Sequence, residues 1–86
     1  MWYVYILRSH KDGCFYVGMS EDVGERLKTH NAGEVTSTKS RRPFELVYTI
    51  QCDDSTLARK TEKYMKTAAG KRWLLKKIGN RGSLPA

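Results

Sequence analysis

No apolar run in this 86-residue chain approaches the roughly 18–20 residues that a membrane span needs, so none is expected. The sequence opens directly on a strand-like segment, without the charged and apolar stretch of a secretory leader, and a cytoplasmic protein is expected. There are only two cysteines, Cys14 and Cys52. They are too few for a disulfide scaffold and lack metal-ligand spacing, so they read as two reduced thiols. Repeats, low-complexity segments and linkers are missing as well. A chain this short holds one domain with one modest core, expected over residues 1–79, with a frayed tail over residues 80–86.

Acidic residues are almost absent from the C-terminal part. Residues 1–54 carry seven Lys or Arg against eight Asp or Glu; residues 55–86 carry nine against one. A half this basic suits a polyanion, a nucleic acid or an anionic membrane surface, unless it only serves solubility. The single acidic residue there, Glu62, calls for a reason.

What is present reads as β-β-α-β-α-α. Trp2 to Leu7 is rich in aromatic and β-branched residues, Asp12-Gly13 marks a hairpin turn, and Cys14 to Val17 returns antiparallel. Ser20-Glu21-Asp22 suits a helix N-terminus. Val23, Leu27 and His30 then share one helix face until Asn31-Ala32-Gly33 stops it. Glu34 to Pro43 is polar and reads as an exposed basic loop. Phe44 to Cys52 is a third strand, with Leu46, Tyr48 and Ile50 on one face and Val47 and Thr49 on the other. Asp53-Asp54-Ser55 caps a second helix whose apolar stripe is Leu57, Ala58, Thr61, Met65 and Ala68. Gly70 breaks that pattern, and Lys71 to Ile78 forms a short third helix with Trp73, Leu74 and Ile78 inward, ended by Gly79. The economical architecture is an α/β (α+β) fold, a three-stranded antiparallel sheet flanked by helices.

Several residues carry chemistry. Helical spacing puts Glu62 at the edge of the apolar stripe, where a carboxylate must be paired or bind a metal. It suits Mg²⁺, which takes one or two protein carboxylates, waters and a substrate phosphate, or else an ion pair with a nearby Lys or Arg. Arg26 and His30 share a helix face. Arg26 suits neutralising charge on a phosphate at the transition state, and His30 suits moving a proton; a surface arginine and a capping histidine are the structural alternatives. Tyr5 and Tyr16 stand on paired strands. A phenol, with pKa about 10, becomes a base only where cations or a metal stabilise its phenolate, and the basic surroundings offer that. Gly18 suits a close backbone approach. Together these residues supply what phosphodiester hydrolysis needs: a Lewis acid, a base beside the attacking water and a cation for the developing charge.

Tyr3-Val4-Tyr5, Tyr16-Val17-Gly18, Arg26 with His30, and Glu62, in that order, resemble the GIY-YIG nuclease superfamily, and most closely its small stand-alone bacterial members. Related domains occur in excision-repair incision nucleases, homing endonucleases and some restriction enzymes. The first glycine of the motif is replaced by Tyr3, and its second isoleucine by Val17. The resemblance implies an endonuclease that hydrolyses DNA phosphodiester bonds with one divalent ion, Mg²⁺ or Mn²⁺. It implies that Tyr5 or Tyr16 is the base, that Arg26 and His30 are catalytic and that Glu62 holds the metal. It also raises Asn80 as a late polar residue of the site.

With no second recognition domain in the sequence, cutting is expected to follow DNA structure, branched or damaged, in repair or recombination, or to be directed by a partner protein. Gly18, Lys39, Arg41, Arg42, Lys71 and Arg72 are the expected nucleic-acid contacts. The competing readings are a non-catalytic binding module, with Lys76 and Lys77 added to those contacts, and a protein-interaction or membrane-surface role for Lys71 to Ile78.

Overall fold

The first turn is built around one buried hydroxyl. In the computed structural model, which describes residues 1–78, Ser9 Oγ accepts the backbone N–H groups of Lys11 at 3.0 Å and Asp12 at 3.1 Å and donates to the carbonyl of Arg41 at 2.6 Å. Gly13 takes φ 74°, where a side chain would be strained. This turn joins β1 (Trp2–Ser9) to β2 (Phe15–Ser20). The remaining elements are α1 (Val23–Asn31), a 3-10 turn (Lys39–Arg41), β3 (Phe44–Cys52), α2 (Ser55–Met65) and α3 (Ala68–Ile78). The expected α/β fold and element order are therefore found. Gly79, Asn80, the domain boundary and the tail expected there lie outside the described residues.

The sheet order is β2-β1-β3, with both pairings antiparallel. The central strand is covered on both faces, which is why Val4, Tyr5, Ile6 and Leu7 are all buried. Alternation along β1 divides these residues between two cores. Val4 and Ile6 pack with Val17, Cys52, Ala58, Met65 and Leu74 beneath α2 and α3. Tyr5 and Leu7 pack with Phe44, Tyr16, Val23 and Leu27 beneath α1.

The α1 helix begins and ends as its sequence dictates. Asp22 Oδ1 accepts the N–H of Glu25 at 3.1 Å, and Gly33 follows the helix at φ 80°. The Asn31 side chain then clamps the start of β3, accepting from the N–H of Phe44 at 2.7 Å and donating to its carbonyl at 3.1 Å.

Strict alternation does not hold along β3. Tyr48 pairs with Ile6 and Leu46 with Leu7, so Val47 is an extra residue at a β-bulge. The bulge returns Val47 to the core that holds Tyr48 and Ile50 and leaves Leu46 exposed, reversing the faces expected for both. The second helical expectation also changes. Gly70 is not a break; it lies buried inside α3. A Cβ there would stand 2.0 Å from the Tyr64 carbonyl oxygen, so the glycine lets α3 press against the end of α2. Within the expected stripe Ala58 and Met65 are buried, but Leu57 and Ala68 are exposed. In α3, Leu74 is buried and Trp73 and Ile78 pack on the same core, as expected.

Candidate active site

Register brings the two tyrosines to one face. Tyr5 lies opposite Gly18 and Leu7 opposite Tyr16, so all four sit on the α1 side of the sheet. The Tyr5 and Tyr16 ring centroids are 6.3 Å apart. Gly18 is buried, and a Cβ on it would lie 2.5 Å from the Tyr5 hydroxyl. The close approach seen at this glycine, expected as a nucleic-acid contact, is to Tyr5, within the molecule.

His30 is neither an exposed cap nor a surface residue. It is 0 % exposed, stacked edge-on against Tyr16 at 4.8 Å and Phe44 at 6.0 Å. Both ring nitrogens are engaged. Nε2 meets the Tyr5 hydroxyl at 3.0 Å, and Nδ1 meets Thr38 Oγ1 at 2.8 Å. Thr38 is itself 0 % exposed, so the loop expected to be exposed turns one side chain into the core. Thr38, Phe44 and Asn31 are the residues that sequence reasoning missed. The run Thr36-Ser37-Thr38 reads only as polar; nothing local marks which hydroxyl turns inward.

The charges act in opposite directions. Burial pushes the Tyr5 phenol above its ordinary value. The Arg26 guanidinium within reach of the hydroxyl, though short of a well-aligned hydrogen bond, pulls it back; the nearby Tyr16 and the charge of Glu62 add to the rise. The expectation that basic surroundings stabilise a phenolate is thus corrected for Tyr5, because desolvation outweighs the single arginine. Burial, then the charge of Arg26, pushes His30 below the usual histidine value. The imidazole is neutral at neutral pH and available as a proton acceptor.

Glu62 stands on α2, in the other layer, close enough for its charge to be felt at Tyr5. Its Oε2 is paired with Lys66 Nζ at 3.3 Å, one helical turn away. Lys66 also lines a cleft of about 230 Å³ with Phe15, Tyr16, Val17, Met65 and Lys71. The cleft therefore runs from the β2 edge, where Tyr16 stands, to the partner of Glu62.

Among the described residues no three His, Cys, Asp or Glu side chains cluster as a metal cage. Glu62 nonetheless fits one kind of ion. It is a hard oxygen donor, its side chain is about one-fifth exposed, and Oε1 takes no hydrogen bond among the described residues. That suits one Mg²⁺ or Mn²⁺ completed by water and a substrate phosphate, and does not suit a two-metal site.

The expected nucleic-acid contacts separate into two kinds. Lys39, Arg42, Lys71 and Arg72 are exposed. Arg41 is not free: its Nε donates to Asp12 Oδ2 at 2.9 Å, and its guanidinium lies 5.4 Å from the centre of the Phe44 ring. That contact and the N–H of Cys14 hold the Asp12 carboxyl down at about 2. Arg41 ties the loop to the hairpin.

Residues 1–76 match the family described as the GIY-YIG catalytic domain. The chain belongs to the GIY-YIG family. It is 41 % identical over 66 residues to the UPF0213 protein SSP2268 of Staphylococcus saprophyticus, covering 76 % of this chain and 79 % of that one. It is 37 % identical over 67 residues to the UPF0213 protein DP2720 of Desulfotalea psychrophila, covering 76 % of this chain and 60 % of that longer protein. The solution NMR structure of the UPF0213 protein BH0048 from Bacillus halodurans superposes with a TM-score of 0.57 at 34 % identity, covering 96 % of this chain and 92 % of that one. This GIY-YIG domain is thereby of a nuclease family, one whose substrate is nucleic acid. Among its described residues no helix is long and apolar enough to cross a membrane.

Proposed function

We propose that this GIY-YIG domain is a one-metal endonuclease that hydrolyses DNA phosphodiester bonds, directed by DNA structure and not by base sequence, in DNA repair or recombination. The observation that carries this reading is the convergence on one site of two tyrosines, a neutral buried histidine and an arginine, with the Glu62 carboxylate within electrostatic reach. A binding module has no use for a buried phenol–imidazole pair, nor for the lone carboxylate of a strongly basic helix pair.

Glu62 would hold a Mg²⁺ or Mn²⁺ ion, which, when bound, supplies a Lewis acid for the phosphate and its leaving oxygen. The chain's own residues do the rest. Half-buried Tyr16, on the edge strand, meets solvent and orients the attacking water. The proton that water releases passes into the tyrosine–histidine array, where the neutral Nε2 of His30 is the acceptor. Arg26 reaches from α1 to neutralise the charge that develops on the phosphoryl oxygens. Lys39, Arg42, Lys71 and Arg72 hold flanking phosphates and carry no base recognition. A partner protein would then supply whatever further specificity the domain needs.

The test is cleavage of labelled single strands, duplexes, flaps, forks and four-way junctions with Mg²⁺ or Mn²⁺, by wild type and Glu62→Ala. Cleavage by wild type that the substitution abolishes while binding persists is the expected result. Binding without cleavage by both proteins would replace the nuclease reading with that of a binding module.

A further inference from the structure

The contacts of His30 form a chain whose direction can be worked out. At one end Thr38 Oγ1 donates to the carbonyl of Val35, at a long 3.4 Å. That carbonyl already accepts the N–H groups of Thr38 at 3.1 Å and Lys39 at 2.9 Å, so it holds the hydroxyl proton only weakly, and the 2.8 Å contact between Thr38 Oγ1 and His30 Nδ1 does not set its own direction. At the other end the Arg26 guanidinium, which only donates, lies within reach of the Tyr5 hydroxyl. The Tyr5 end therefore decides: with a cation beside its oxygen, the Tyr5 O–H has only Nε2 as an acceptor, and one arrangement follows. Arg26 faces the Tyr5 oxygen, Tyr5 donates to Nε2, Nδ1–H donates to Thr38, and Thr38 donates to Val35.

We propose that Thr38 is a positioning residue: by accepting the Nδ1–H of His30 it fixes the imidazole as the tautomer whose bare Nε2 takes the hydroxyl proton of Tyr5. This rests on the nuclease reading above and extends it to a residue outside the motifs. Which ring nitrogen of a histidine carries the proton is set by what the other nitrogen bonds to. In the opposite tautomer Tyr5 would accept from Nε2–H, its own O–H would turn toward the Arg26 cation, and no acceptor would remain for the proton of the attacking water. The groups facing the imidazole are Tyr5 on β1, Tyr16 on β2, Phe44 on β3 and Arg26 on its own helix. Thr38 is the one among its hydrogen-bond partners that faces Nδ1. Its loop also carries the exposed Lys39 and Arg42.

The experiment is a long-range ¹H–¹⁵N correlation spectrum of the His30 imidazole, recorded well above the ordinary histidine pKa of about 6.5. Wild type, Thr38→Ser and Thr38→Val are compared, with steady-state cleavage measured on each. Wild type and Thr38→Ser are expected to show protonated Nδ1 and bare Nε2. Thr38→Val is expected to show the other tautomer or a mixture, with kcat lowered about 10- to 100-fold, by analogy with removal of the outer partner of a metal-bound histidine, and KM unchanged. A wild type protonated on Nε2 would overturn the proposal, as would a folded Thr38→Val that keeps protonated Nδ1 and full kcat. If Thr38→Val does not fold, the wild-type spectrum alone decides. A wild type that cleaves no DNA counts against the nuclease reading, while the spectra still settle the tautomer.

Discussion

Gly18→Ala adds one methyl group, and the structure says where it goes. The new Cβ would stand 2.5 Å from the Tyr5 hydroxyl oxygen, 2.6 Å from Cζ and 3.0 Å from Cε2. Tyr5 is 1 % exposed, at the centre of the sheet, with its hydroxyl on His30, so it has little room to retreat. Overpacking a core costs about 1–3 kcal/mol. Parting Tyr5 from His30 adds about 1 kcal/mol for the lost hydrogen bond. Against this stands a gain of about 0.4–1 kcal/mol from a less flexible unfolded chain. The sum is a net loss of about 1–3.6 kcal/mol, and each kcal/mol lowers Tm by about 4–8 °C in a domain of this size. Urea and thermal melts followed by circular dichroism measure it directly. In a double-mutant cycle with Tyr5→Phe, which removes the oxygen but keeps Cζ, the defect should shrink without vanishing. A Gly18→Ala protein as stable as wild type, with the Tyr5–His30 contact intact, would show that the phenol does not lie over this glycine.

Three further outcomes are expected. His30 binds its proton less readily folded than unfolded, so the unfolded chain takes up more protons as the pH falls; the stability that neutral His30 confers is complete above about pH 6.5 and is lost below it. Urea midpoints measured across that range should fall with acid, less steeply in His30→Gln, and equal slopes in the two proteins would contradict this. Lys66→Met removes the cation paired with Glu62, so Mn²⁺ titrated in the absence of DNA should bind more tightly to it than to wild type, and not at all specifically to Glu62→Ala; affinity unchanged by Lys66→Met would dissociate the pair from the metal. Gly70→Ala places a Cβ against backbone that cannot swing aside and should cost about 3 kcal/mol or more by thermal melt, while an unchanged Tm would show that the helices do not meet there.

The sheet and its helices were legible because their signals are local. Aromatic and β-branched runs, a turn glycine and capping carboxylates at Asp22 and Asp54 act within a few residues of themselves. The errors came where distant segments decide. Alternation cannot reveal an inserted residue, so it assigns Val47 and Leu46 each other's faces. Gly70 reads as a stop until the neighbouring helix end explains it. Thr38 reads as loop because its burial depends on an imidazole eight residues earlier. Within the site, Tyr5, Tyr16, Arg26, His30 and Glu62 could be singled out by type and order. Which phenol is buried, and which carboxylate oxygen Lys66 takes, could not.

The strand that carries Tyr5 belongs to both layers at once: Val4 and Ile6 are held by α2 and α3, Tyr5 and Leu7 by α1. Regions of a protein that open independently do so because few contacts bind them to the rest. Here the phenol sits on a segment tied to both layers, and peeling off either layer of helices strips one whole side of β1. The groups around it are anchored more narrowly, His30 and Arg26 by α1 alone and Glu62 by α2 alone, so Tyr5 is the fixed point about which the rest of the site is arranged.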